Sequence, residues 1–111
     1  MRRQKTYSAQ SGYVYQYHYE GHRKDGAASE YVFSVSGDRK SWLTTSVRIA
    51  DGALISWEHA HGRPLSSTEQ YAIAKMALFQ AFDERTAPSE LQADVQVGNA
   101  EVETIVETLG L

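Results

Sequence analysis

The four histidines of this chain are its candidates for metal chemistry. His59 and His61 sit two apart in "WEHAHGR", so on an extended strand both imidazoles project to one face. Three histidines that leave one coordination position open make a catalytic zinc site, and His18 is the third candidate, with Glu58 beside the pair. The competing reading is plainer. His59 and His61 fall near the end of an expected strand, where exposed histidines are common, and His18 belongs to a segment that nothing fixes nearby. A cupin-like pattern is missing, since "GRPLS" follows where a glutamate ligand would be needed.

A second constellation is "YVYQYHY", which sets Tyr13, Tyr15, Tyr17 and Tyr19 at every second position. On a strand these four rings share one face, and sheet-borne aromatics stack unpaired bases. His22, Arg23 and Lys24 in the next segment would supply positive charge. Equally, tyrosine is a good strand former whose ring packs on cross-strand neighbours or at protein interfaces. The net charge of −3 disfavours nucleic acid, which is bound mainly by clustered Lys and Arg.

Other chemistry is poorly represented. The chain has no G-x-S-x-G, P-loop or G-x-G-x-x-G, and with no cysteine it has no thiol nucleophile or thiolate ligand. Asp83 and Glu84 read as a solvated helix end. Arg63 before Pro64 could meet an anion near a helix N-terminus, but such arrangements arise by chance. No cofactor is implied.

The elements that must position these residues follow from period and punctuation. Alternation predicts strands over 13–20, 30–36 and 41–50. Asp51-Gly52 suits a two-residue type I′ turn, which predicts a returning fourth strand over 53–59. "GHRKDGAAS" reads as a loop. In the expected register Val35 opposes Trp42 and Phe33 opposes Thr44, which leaves apolar residues on both faces of the sheet. A sheet with one wet face should alternate more cleanly. Ser66 and Glu69 form a capping box before a helix over about 67–85, whose stripe runs through Tyr71, Ala74, Leu78 and Phe82. In the tail, 93–97 alternates like a short strand, and Asn99 could cap a helix carrying Val102, Ile105, Val106 and Leu109.

The fold class expected is therefore α+β: a four-stranded antiparallel meander, a long helix on one face, and a short C-terminal strand or helix. With 111 residues, 41% apolar and 23% charged, the chain is sized for one domain over 13–111, preceded by a flexible basic arm over 1–12. The basic start lacks the apolar run of a signal peptide, and no stretch reaches the roughly 18 apolar residues of a membrane span. A cytoplasmic setting is expected. The surplus of apolar surface favours a non-enzymatic binding or assembly module that self-associates as a dimer or takes a protein partner. Single-stranded nucleic-acid binding by the tyrosine strand and Arg23/Lys24, and a metal-dependent enzyme using His18, His59 and His61, are the alternatives.

Overall fold

The computed structural model describes residues 3–111, and its architecture is α+β with a curled, mostly antiparallel sheet. Among the described residues the strands are β1 (Lys5–Ser8), β2 (Val14–Asp25), β3 (Ala28–Ser36), β4 (Leu43–Ala50) and β5 (Val95–Val97). The helices are α1 (Asp51–His61), α2 (Ser67–Glu84) and α3 (Asn99–Leu109), with a 3₁₀ turn at Pro88–Gln92. The first four strands form an antiparallel meander in sheet order, and β5 adds parallel to β4 at the far edge.

The meander has four strands, but not the four expected. Residues 53–59 are helical, because Asp51-Gly52 opens α1 instead of turning a hairpin. Asp51 places a carboxylate in the first turn, where the helix dipole favours it, and its N–H donates to Ala27 O at 2.9 Å. Ala53 and Trp57, one helical turn apart, are both buried. Gly62 ends the helix at φ +76°, with its N–H on Glu58 O at 2.8 Å. The hairpin signal belongs to the other Asp-Gly pair. Asp25 pairs with Ala28 around a Gly26-Ala27 loop, and Gly26 has the positive φ (+60°) that a type II′ turn requires in its first position. Most of the expected loop "GHRKDGAAS" is thus strand.

The missing strand comes from the N-terminal arm. Lys5–Ser8 pairs with Tyr17–Val14, and Tyr7 lies flat on Phe79 with ring centroids 4.3 Å apart. That ring contact, together with Tyr7 Oη donating to Asp83 Oδ2 at 2.9 Å, ties down the part of the arm expected to be flexible. Met1 and Arg2 lie outside the described residues.

A one-residue change of register removes the puzzle of two apolar faces. Val35 stands opposite Leu43 and Phe33 opposite Thr45, not Trp42 and Thr44. Since side chains alternate, such a shift turns every residue of β4 over. Val47 and Ile49 therefore join Tyr31, Phe33 and Val35 in one fully buried layer. The opposite face carries Glu30, Ser34, Ser36, Thr44, Ser46 and Arg48, with Val32 among them. One side of the sheet is oily and is covered by helices; the other is polar.

The α2 helix starts as expected. Ser66 Oγ accepts from Glu69 N at 3.1 Å and Glu69 Oε1 accepts from Ser66 N at 2.8 Å. Its buried stripe is Ile73, Ala74, Ala77, Leu78, Ala81 and Phe82. The alanines let the helix approach closely, while Val102, Ile105 and Val106 of α3 complete the core. The α3 helix begins one residue earlier than expected, at Asn99 itself. Gly98 is the capping position, its N–H donating to Glu101 Oε1 at 2.8 Å, and Asn99 is the first helical residue. No helix among the described residues is long and apolar enough to cross a membrane.

Candidate functional site

The tyrosine ladder is not an open platform. Tyr15 and Tyr17 are buried beneath α2, and Tyr19 is half-buried. The Tyr15 ring stacks on Phe82 at 4.3 Å and 9°, Tyr17 meets Phe79 edge-on at 5.6 Å, and Tyr19 lies 4.8 Å from Tyr71. Burial raises the hydroxyl pKa of Tyr15, Tyr17 and Tyr19. Tyr13 alone of the four is exposed. The face that looked available for stacking is the inner face of the core, and a base could reach it only by displacing α2.

The histidines are not brought together. His59 and His61 lie on a helix, where two residues apart means about 200° around the axis, so they point to different sides. His61 stacks on Trp57 at 4.3 Å, and its Nε2 lies 3.0 Å from Glu103 Oε2. His18 is on the polar face of the sheet, with its ring 5.0 Å from Trp42. Among the described residues no three His, Cys, Asp or Glu side chains are grouped to hold a metal ion. The expected zinc triad depended on α1 being a strand. Arg63 likewise does not await an anion, because its guanidinium grips both oxygens of Glu69 at 3.0 and 3.1 Å and lies over Trp57. Asp83, expected to be solvated, accepts from Tyr7 Oη and from Gln10 N.

Arg23 and Lys24 are exposed, but on a strand rather than a loop. This strand has a distinctive position. The short β1 ends opposite Tyr17, so from His18 to Asp25 the outer edge of β2 has no strand partner among the described residues. Such an edge presents a row of N–H and C=O groups that can template a further strand. A bulge interrupts it: Tyr19 pairs with Phe33 and Gly21 with Val32, leaving Glu20 as the extra residue.

The charges along this edge are held in place by the strands behind it. Arg23 Nε donates to Glu30 Oε1 at 2.7 Å, and Arg48 Nη1 to Asp25 Oδ2 at 2.7 Å. Lys24 pairs with Asp51 of α1, and Glu20 Oε2 accepts from Ser34 Oγ at 2.6 Å. The Arg23 guanidinium lowers the Glu30 pKa, and Arg48 lowers that of Asp25. At neutral pH the edge therefore carries fixed charges of both signs on an ordered backbone. The sequence alone places His22, Arg23 and Lys24 on a loop and ends the strand at Glu20, so the edge from Gly21 to Asp25 is not visible in it; Asp25-Gly26, a short-range hairpin signal, is the available clue.

One apolar cleft of about 290 Å³ lies at the other end of the sheet, among Tyr13, Val35, Leu43 and Pro88. It is at the lower limit of ligand-site size and has few converging polar groups. No protein-family model, curated protein or solved structure matches this chain.

Proposed function

We propose that this chain is a small, non-enzymatic binding and assembly module that works as a homo-oligomer, most simply a dimer. The observation that supports this reading is the ordered edge of β2 from His18 to Asp25, which has no strand partner among the described residues. Main-chain ladders of this kind recognise another strand by completing its hydrogen bonds. Surplus apolar surface, the ground that the sequence suggested, does not support it. Exposed large apolar residues such as Val14, Ile55 and Leu111 are single residues and need no partner.

Nucleic acid and metal catalysis have less behind them, since Tyr15 and Tyr17 are buried and His18, His59 and His61 are dispersed. A cytoplasmic setting fits a chain with no cysteine to oxidise. A ladder of this length buries less than the roughly 1,600 Å² of a standard interface, so the association is weak and concentration-dependent. Sedimentation equilibrium should give a mass climbing from 12.4 kDa towards twice that value. A protein that stays strictly monomeric at about 100 μM contradicts the proposal.

A further inference from the structure

The partner that fits the β2 edge is β2 itself. We infer that His18–Asp25 pairs antiparallel with the same segment of a second copy, about a twofold axis that passes at His22. This rests on the self-association proposed above and specifies the surface and its register.

The register has to respect which face each residue occupies, and the charges then choose among the axes that do. Beside β3, Gly21 stands opposite Val32, Arg23 opposite Glu30 and Asp25 opposite Ala28, so these three project to the polar face together with His18. Tyr19, His22 and Lys24 project to the face that carries the core. Residues directly opposed in an antiparallel pair must lie on the same face. An axis at His22 satisfies this throughout. His22 meets its own copy, Gly21 meets Arg23, and Tyr19 meets Lys24. His18 meets Asp25. With Glu20 as an extra residue in each strand, the faces still agree on both sides of the bulge.

The charges agree with the same register. Glu20 and Gly21 together stand opposite Arg23, and Asp25 opposite His18, so acid meets base on both sides of the axis. Arg23 already holds Glu30 through Nε, but a guanidinium has five donors in a fork and accepts a second carboxylate. Charged side chains ordinarily keep an edge from pairing when like charges face each other, and bulges do so by twisting the edge away. Here the order Glu20, Arg23, Asp25 makes an antiparallel copy complementary, whereas a parallel copy would set Arg23 against Arg23. A twofold interface repeats every contact, so each complementary pair counts twice.

The register can be tested covalently, because the chain has no cysteine of its own. In His22→Cys the two thiols face each other across the axis, at the roughly 4.5–5.5 Å Cα separation of opposed strand residues that a disulfide spans. In Lys24→Cys each thiol faces Tyr19 instead. Under mild oxidation at equal concentration, His22→Cys should cross-link at least about tenfold faster than Lys24→Cys. Glu20→Lys, which sets like charges opposite Arg23 twice, should raise the dimer Kd about tenfold. Equal cross-linking rates, or a Glu20→Lys protein that dimerises as tightly as the parent, would overturn the ladder. If sedimentation still finds a dimer in that case, self-association stands and only its surface is wrong; a parent that is monomeric removes both.

Discussion

Tyr15 illustrates how one residue type answers opposite questions depending on where its ring goes. It has no exposed surface and lies flat against Phe82, so its aromatic body serves the core. Its hydroxyl is buried as well, and no protein group among the described residues lies within hydrogen-bonding distance of it. A buried hydroxyl without a partner costs on the order of 1–3 kcal/mol. Tyr15→Phe should therefore leave stability unchanged or raise it by about 1 kcal/mol, while Phe82→Ala should lower it by about 3–5 kcal/mol. Chemical denaturation of the two variants checks this. A loss of more than about 1 kcal/mol in Tyr15→Phe would mean that the hydroxyl does have a partner.

At the scale of elements, the entry to α2 shows a local signal that held. Glu69 binds Arg63 and also closes the capping box, and these contacts, the Arg63 pair foremost, push its pKa down to about 2. A carboxyl whose pKa is lowered by folding adds stability that is complete above its unfolded pKa of 4.5 and is lost as pH falls from there towards about 2. Glu69→Gln retains an amide able to close the box but not the charge. Its melting temperature should lie below the parent's at neutral pH, and the gap should shrink between about pH 5 and about pH 3. A gap that is constant with pH would remove the Arg63 pair from the account. The capping box, the α2 stripe, the short strand at the tail and three of the meander strands were legible because each is written within a few neighbouring residues. The α1 helix was not, since Asp-Gly serves a hairpin and the first turn of a helix equally well; what separates the two is Ile55, which a strand would put on one face with Ala53 and Trp57 and which is exposed while they are buried. The β3–β4 register was not legible either, because "GDRK" suits a four-residue turn closing at Ser41, whereas Asp38 accepts from Lys40 N and Ser41 N and the strand resumes only at Leu43.

The whole molecule is a sheet with one face under helices, one polar face, and two edges of different character. At one edge β5 is only three residues long, too short to recruit a strand. At the other, β2 outruns β1 by eight residues, His18 to Asp25. The sequence alone suggests association through oily faces, whereas among the described residues it is the main-chain groups along the β2 edge that lack a strand partner. None of this edge was legible, because its openness depends on where β1 stops, a fact about two strands and not about either alone.

Amide hydrogen exchange on the unmodified protein addresses that edge directly. A ladder formed with a second copy protects the amides of His18–Asp25 in proportion to the dimer population, while amides of Val95–Val97 at the opposite edge are unaffected. Deuterium uptake measured at about 10 μM and about 500 μM should therefore slow with concentration in the His18–Asp25 segment and stay the same at β5. Superimposable uptake of His18–Asp25 at both concentrations, with the protein dimeric at the higher one, would contradict the pairing of this edge.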